Sequence, residues 1–254
     1  MNKIVFVIIF ALLASFIALW YRAPHSSPSK QVVGSINVGT NAEYAPFSFM
    51  DDGKLVGFDI DLMEEIGNRL GKKVFFNDMP FDALIPALQM GNIQIIIGGI
   101  TPTAERQQRV LFTTPYISQD PLLIVSHAQS PLTSLDQLKG KKIAVNEGYT
   151  ADFYMSQVQG PELLRLASPL ESFMALESHR ADALVIAQTT AKNIIEHFGN
   201  HKFKVTPIPD IADEYALAIS KQYPDLHEEV QKVLDHLIAQ GIIEQLKKKW
   251  KLSI

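Results

Sequence analysis

The sequence of 254 residues contains no cysteine. This absence excludes disulfide bonds, thiolate-bound metal sites and cysteine nucleophiles, and it leaves no cysteine that could carry a lipid anchor. A chain without cysteine suits an exported protein, although export has to be argued from other features of the sequence.

Basic residues are not in excess either. Lysine and arginine number 23 against 27 aspartates and glutamates, which gives a net charge of −4. Only a local basic patch could then bind nucleic acid, so we expect no nucleic-acid partner. The motifs of serine hydrolases, P-loop proteins and zinc proteases are also absent. His197 and His201 are four residues apart, but Gly199 and Asn200 between them break a helix, so we predict no metal site. We predict no catalytic residue and no cofactor.

The longest hydrophobic run lies at the N-terminus. Residues 4–21 are apolar apart from Ser15, and a helix of this length would cover about 27 Å, close to the thickness of a membrane core. The Trp-Tyr-Arg sequence at 20–22 is typical of the interfacial end of a membrane span, and a small-x-small cleavage site is hard to find before it. We therefore predict that residues 1–22 form an export signal peptide or a membrane anchor, with an uncleaved leader favoured.

Residues 23–35, which include PHSSPSK, form a predicted polar linker. Beyond the linker, short β-type runs alternate with amphipathic helical patterns, and this order implies a mostly parallel sheet with helices on both faces. The first unit has predicted strands at 36–39, 73–76 and 93–97, and predicted helices at 59–70 and 81–90, each followed by a glycine. The second unit has predicted strands at 142–145, 183–186 and 205–208, then the apolar run 215–219, and predicted helices at 134–138, 172–178, 188–198 and 225–250, the last broken near Gly241.

The most informative segment is GGITPTAERQQR at residues 98–109. It follows a predicted buried strand and opens a helix, and helix N-termini offer unpaired N–H donors and the positive end of a dipole. Arg106 lies one turn into this helix, and a guanidinium can hold a carboxylate through two hydrogen bonds. The segment predicts a clamp for the α-carboxylate of an amino acid. The alternative is a capped helix with a surface arginine.

Six motifs, in this order and at these spacings, resemble those of the polar amino-acid-binding proteins that serve ABC importers, in particular the arginine, lysine and histidine receptors. The resemblance runs from about residue 36 to the C-terminus. The motifs are NAEYAPFSF (41–49), GFDIDLMEEIG (57–67), FDALIPALQMG (81–91), GGITPTAERQQRVLFTTPY (98–116), LKGKKIAVNEGYT (138–150) and HRADALV (179–185).

The resemblance implies an α/β fold with two lobes, the type II fold of periplasmic binding proteins. Two crossover strands would join the lobes, and the ligand would bind in the cleft between them. The first lobe would comprise residues 36–118 plus 216–254, and the second would comprise residues 119–215. Hinge closure around the ligand would then be the expected conformational switch.

The resemblance also implies a ligand-binding role for particular residues. Arg106 would pair with the α-carboxylate, and Thr101 would contact the carboxylate and the amino group. Gly99, which follows Gly98, would accept a hydrogen bond from the ligand ammonium through its carbonyl. Thr150 would reach the carboxylate from the second lobe. The alternatives are helix caps for the two threonines and a simple turn for the glycines.

Tyr44 and Phe81 match the aromatic pair that flanks the ligand side chain in this family. A cation between two rings gains about 0.5–2 kcal/mol per ring. Asn41 stands where relatives that bind cationic side chains often carry an acid, so Glu43 is expected to supply the charge for a guanidinium. The alternatives are core aromatics and a surface acid.

One position departs from the family pattern. An aspartate five residues after the position of Asp182 binds the α-ammonium in the family, but Ala187 occupies that position here. Gln188 is a candidate to contribute an amide oxygen instead. Asp213 and Glu214 are candidates to supply a charge.

We predict an exported solute-binding protein, periplasmic or anchored by its N-terminal segment. It would be a monomer that captures a basic L-amino acid and delivers it to an ABC permease in the inner membrane. Arginine is the favoured ligand, and lysine and histidine are the alternatives. Two other classes stay open. One is a dehydratase-like enzyme on the same fold, for which Glu43, Glu147 or Glu214 would have to act as acid or base. The other is a membrane-anchored sensor or surface protein.

Overall fold

The computed structural model describes residues 34–252. The predicted signal peptide or anchor and almost all of the predicted linker lie outside these residues, so those predictions are not tested. Within residues 34–252 no helix is both long enough and apolar enough to span a membrane. The chain from Gly34 onward forms one compact unit, and the division into two lobes at the stated bounds stays a prediction.

Strands and helices alternate along much of the described chain, after four consecutive strands at its start. The strands are β1 (Ser35–Thr40), β2 (Glu43–Tyr44), β3 (Ser48–Asp51), β4 (Lys54–Val56), β5 (Lys73–Asp78), β6 (Ile95–Ile96), β7 (Leu111–Phe112), β8 (Ile117–His127), β9 (Lys142–Asn146), β10 (Glu162–Leu166), β11 (Ala183–Ala187), β12 (Phe203–Tyr215) and β13 (Ala218–Ile219). The helices are α1 (Phe58–Leu70), α2 (Phe81–Gln89), α3 (Ala104–Arg109), α4 (Thr150–Gln157), α5 (Pro169–Glu177), α6 (Gln188–Phe198), α7 (Pro224–Ala239) and α8 (Ile242–Lys249), with 3₁₀ turns at Leu135–Leu138 and Asn200–Lys202.

Two five-stranded sheets organise the fold. The first has the order β5–β1–β6–β13–β7 and the second has the order β10–β9–β11–β8–β12. β1 is parallel to β5 and β6, as the alternating pattern predicts, but β13 runs antiparallel to β6 and β7. The second sheet is also mixed, because β8 is antiparallel to β11 and β12. The architecture is therefore a mixed α/β fold, and the expected parallel sheet covers only part of it.

Strands β8 and β12 connect the two sheets. They pair with each other along most of their length, from Tyr215 opposite Ile117 to Phe203 opposite His127. The predicted strand at 205–208 is therefore the middle of a much longer strand. Conversely, Ala218–Ile219 is all that the predicted run 215–219 contributes to the first sheet. The two paired crossover strands bring residues near their shared end close to both sheets.

Local sequence accounts for most helix boundaries. Gly71 ends α1 in the left-handed conformation, with φ of 63°. The helix predicted at 172–178 begins earlier, at Pro169, because Ser168 caps it by accepting the Glu171 N–H at 3.3 Å. The strand predicted at 93–97 is shorter in the structure, where β6 covers Ile95–Ile96. Just before it, Gln94 Oε1 accepts the Asn37 N–H at 3.0 Å.

Apolar side chains fill the layers between sheets and helices. The first core packs α1, α7 and α8 against the first sheet, and its largest fully buried side chains include Phe47, Phe58 and Tyr215. The second sheet has a core on each face, one centred on Phe173 and Leu184 and the other on Ile143 and Val145. Burial of this apolar surface is the main favourable contribution to folding.

A close approach of backbone segments occurs where α1 begins. Gly57 has φ of 136°, and a Cβ atom there would lie 2.0 Å from the carbonyl oxygen of Phe47. The N–H groups of Phe58 and Asp59 donate to the carbonyls of Pro46 and Phe47 at 3.1 and 2.9 Å, which holds the two segments together. Only glycine fits at this position.

We expect Gly57→Ala to lower the free energy of unfolding by about 2–5 kcal/mol, because it combines a disfavoured φ with a backbone clash. Gly71→Ala is the matched control, since φ is 63° there and nothing lies within 4 Å of an added Cβ. The control should cost only about 1 kcal/mol. Urea unfolding of both variants makes the comparison, and equal losses would contradict the close approach at Gly57.

Candidate functional site

A buried arginine lies at the centre of the candidate site. Arg106 is only 5% exposed. Its Nη1 donates to the Thr101 carbonyl at 2.9 Å, and its Nη2 donates to the Gly148 carbonyl at 2.7 Å. Thr101 precedes α3 beside the first sheet, whereas Gly148 belongs to the turn between β9 and α4 of the second sheet. Arg106 therefore bridges the two halves of the fold and is not a surface residue.

The helix that carries this arginine is short. α3 has six residues, and Thr103 caps it by accepting the Arg106 N–H at 3.3 Å. One of its first N–H donors is thus already used, so the guanidinium is the stronger anion-binding group at this turn. Burial lowers the pKa of Arg106 to about 10, although the Asp213 and Glu105 carboxylates act in the opposite direction. Arg106 stays charged at neutral pH.

Three aromatic rings form a row beside Arg106. The ring of Tyr149 contacts Phe81 at a centroid distance of 4.3 Å and Tyr44 at 5.5 Å. The Arg106 guanidinium lies 5.3 Å from the Phe81 ring and 5.8 Å from the Phe153 ring. Tyr149 therefore occupies the space between the two aromatics that were predicted to flank a ligand. Tyr149 was not among the predicted site residues. Its position next to Thr150 in the GYT turn was the one sequence feature that could have indicated a place in the site.

Two buried carboxylates line the same region. Asp213 Oδ1 accepts the Thr101 hydroxyl at 3.0 Å, and the Thr150 side chain also donates to this carboxylate. Burial raises the pKa of Asp213 to about 6. Asp120 accepts the Thr189 N–H at 3.0 Å and the Tyr215 hydroxyl at 2.9 Å, and burial raises its pKa as well. Of these two acids, Asp213 was a candidate from the sequence and Asp120 was not.

A hydroxyl chain connects Tyr44 to this acidic region. Tyr44 Oη and Tyr215 Oη are 2.9 Å apart, and Tyr44 is the donor because Tyr215 donates to Asp120. Tyr44 is also stacked on Phe47 at 5.3 Å and is only 2% exposed. The ring thus belongs to the first core as well as to the edge of the site.

The glycine turn packs directly against Tyr44. Gly99 has φ of 62°, and a Cβ atom there would lie 2.4 Å from the Tyr44 ring. The Gly99 N–H donates to Asp59 Oδ2 at 3.0 Å, while Tyr116 Oη donates to the other carboxylate oxygen at 2.8 Å. Gly98, one residue earlier, lies against Thr40. Asp59 therefore holds the turn in place from the core side.

The remaining predicted residues lie around this centre. Asn41 is buried; its Nδ2 donates to the Met79 carbonyl at 3.2 Å, and Tyr149 Oη donates to its Oδ1 at 3.4 Å. Glu43 is exposed, but its charge contributes to raising the pKa of Tyr149, of which burial is the main cause. Gln188 is the half-buried first residue of α6. Of the predicted set, the structure places Tyr44, Phe81, Asn41, Thr101 and Arg106 in direct contact with one another or with Tyr149.

Comparison with known proteins gives a consistent family. The pattern of the bacterial extracellular solute-binding proteins, family 3, matches residues 36–253. The probable histidine-binding protein of Campylobacter jejuni is 33% identical over 86% of each chain. The arginine-binding extracellular protein ArtP of Bacillus subtilis is 31% identical over 84% of each chain. The solved structure of an ancestral arginine-binding protein bound to arginine is 36% identical with a TM-score of 0.81, covering 85% of this chain and 98% of that one.

The buried carboxyl group behind the glycine turn predicts a pH effect on stability. Burial raises the pKa of Asp59 to about 7, against an opposing effect of the hydrogen bonds from Tyr116 and Gly99. Between pH about 4 and 7 the folded chain keeps a proton that the unfolded chain releases, so the folded state binds more protons. The free energy of unfolding should therefore fall as the pH rises, by at most about 1.4 kcal/mol per pH unit for this group.

Asp59→Asn should remove this contribution and make the slope between pH 4 and 7 less steep, while Asp120 and Asp213, whose pKa values burial also raises, keep their own contributions. Asp82→Asn, which removes an exposed carboxylate from α2, is the control and should leave the slope as it is in the wild type. Urea unfolding at several pH values measures the slopes. An unchanged slope in Asp59→Asn would show that this group titrates normally.

Proposed function

The chain belongs to the bacterial extracellular solute-binding proteins, family 3, and we propose that it captures a basic L-amino acid, with arginine as the favoured ligand. Its relatives are amino-acid-binding proteins of ABC transporters, which makes it an amino-acid-binding component of such an importer. In the proposed cycle it binds the ligand as a monomer in the periplasm, free or anchored by residues 1–22, and delivers it to a permease in the inner membrane.

The buried guanidinium of Arg106 is the observation that carries this proposal. The two described hydrogen bonds of Arg106 use two of its five N–H donors, and both acceptors are neutral carbonyls. A carboxylate is the ligand group that best satisfies such a cation, because charge-assisted pairs are stronger than hydrogen bonds to neutral acceptors. The hydroxyls of Thr101 and Thr150 donate to Asp213, so the backbone N–H groups of these two residues would supply the further donors to the carboxylate.

Basic side chains are favoured by the rest of the site. Glu43, exposed at the edge of the site, supplies an acid for a cationic side chain. The row of rings offers flat faces on which a guanidinium or an imidazolium can stack. Lysine and histidine stay as alternatives, and the relatives named above include one named for histidine and one named for arginine.

The proposed complex requires Tyr149 to move. Its ring fills the space between Tyr44 and Phe81, so the ligand side chain can lie there only after Tyr149 has left. Tyr149 lies in the turn that follows β9 of the second sheet, whereas Tyr44 is part of the first core and Phe81 begins α2, which contacts β1. Separation of the two halves would therefore withdraw Tyr149. Ligand and Tyr149 then compete for one position.

Titration calorimetry with arginine, lysine, histidine, glutamine and glutamate tests the ligand class. We expect arginine to bind most tightly, and binding of none of the basic amino acids would reject the proposal. Arg106→Ala should weaken binding by at least roughly 2 kcal/mol, because it leaves a buried carboxylate without its partner. Arg109→Ala is the matched control, since Arg109 lies on the same helix but is exposed and binds Gln89. Equal affinity in the two variants would count against the clamp.

Tyr149→Ala should tighten arginine binding by about 3- to 10-fold, because it removes ring contacts that favour the closed state without ligand. Tyr149→Phe keeps the ring and should stay close to the wild type. Calorimetry on both variants makes the comparison. If Tyr149→Ala binds arginine more weakly than Tyr149→Phe, the ring supports the ligand and does not compete with it.

A further inference from the structure

The end of β11 carries no polar side chain at the position where the family resemblance implies an acceptor for the ligand ammonium. Ala187 is the last residue of β11 and pairs with Leu122 of β8. Continuing this antiparallel register by two residues brings Thr189 opposite Asp120, and the Thr189 N–H donates to that carboxylate at 3.0 Å. An acid from the crossover strand β8 therefore lies beside the position at which β11 has alanine.

A second acid lies next to the first. Asp213 on β12 is the register partner of Asp120 on β8, and each crossover strand thus contributes one buried carboxylate at the same level. Asp213 accepts the hydroxyls of Thr101 and Thr150, which come from opposite halves of the fold. Asp213 consequently lies where the two halves of the fold meet at the site.

The geometry of an α-amino acid limits where its ammonium can bind. The nitrogen and the carboxyl carbon are both bonded to Cα and are therefore about 2.5 Å apart. If Arg106 holds the carboxylate, the acceptor for the ammonium must lie within a side chain's reach of Arg106. Asp213 meets this condition, because it shares Thr101 with Arg106 and the two charges act on each other. Glu214 is the next residue along β12, but its side chain is exposed.

Two buried threonine hydroxyls lie beside the acids. Thr189 Oγ1 is close to the Asp120 carboxylate and Thr190 Oγ1 is close to the Tyr44 hydroxyl. Their residues are 7% and 1% exposed, and they stand at the start of α6 beside Asp120. Thr190 also lines a groove of about 450 Å³ between the 42–45 segment and α6. An ammonium, which has three donors, would use acceptors of this kind.

We propose that Asp213, together with Asp120, binds the α-ammonium group of the ligand, and that the two crossover strands thereby replace an acceptor at position 187. The assignment rests on the proposed function, since it places an amino acid on Arg106. It also gives the two buried acids a charge partner, because an ammonium between them offsets part of the cost of burying like charges.

A thermodynamic cycle of four binding affinities, for two ligands on two proteins, tests the assignment. Arginine is compared with 5-guanidinopentanoate, which is arginine without its α-amino group, by calorimetry on the wild type and on Asp213→Asn. The wild type should prefer arginine by about 30-fold or more, since the analogue leaves a buried charge unpaired. In Asp213→Asn the preference should fall below about 3-fold, through weaker binding of arginine and not of the analogue.

The controls separate the competing acceptors. Glu214→Gln changes the adjacent exposed acid and should keep the preference of the wild type. If Gln188→Ala or Glu214→Gln abolishes the preference while Asp213→Asn retains it, the assignment to Asp213 is overturned. Should Asp213→Asn fail to fold, Asp213→Glu moves the carboxylate by one methylene and should still weaken arginine more than the analogue; equal weakening of both would also overturn the assignment.

Failure of the proposed function has a different signature. If the wild type prefers another amino acid to arginine, the basic specificity is wrong, and the same cycle is run with that amino acid and its deaminated counterpart. The preference of Asp213→Asn for the amino acid over its deaminated counterpart then decides the ammonium assignment, independently of the specificity for basic side chains. If the wild type binds none of the five amino acids, both proposals fail together.

Discussion

A guanidinium buried between two sheets is the constraint on which the site depends. Burying the charge of Arg106 is costly unless the surrounding groups satisfy it. The backbone supplies one carbonyl from each half of the fold, at Thr101 and Gly148, and the faces of Phe81 and Phe153 supply cation–π contacts. Because these partners come from different sheets, the state of Arg106 is coupled to the relative position of the two halves.

Two acids, Asp120 and Asp213, are buried in the same region as Arg106. They occupy paired positions on the crossover strands, which belong to the second sheet and connect it to the first. Their pKa values are raised because burial disfavours the charged form. Threonine hydroxyls and a tyrosine hydroxyl partly compensate for lost water. A site that combines a guanidinium with two carboxylates does not suit a simple anion. It suits a molecule that carries both a carboxylate and a positively charged group.

In the proposed mechanism, Tyr149 links the site to conformational change. Its ring lies between Tyr44 and Phe81, so a ligand that takes this position has to offer better contacts than the ring does. A ligand shifts a conformational equilibrium only by the difference in its affinity for the two states. In the proposed mechanism, discrimination between amino acids then depends on how well each replaces the tyrosine.

The sequence by itself determined many of the local elements. Helical periodicity and Gly71 predicted α1 to within one residue, because these features depend on neighbours within a few positions. The turn before Arg106 also pointed to an anion-binding role for this arginine, and that role stays a prediction. Only the tertiary structure decided which distant residues meet. The pairing of Asp120 with Asp213 and the position of Tyr149 depend on strand register and on packing across some ninety residues of chain, which no local pattern encodes.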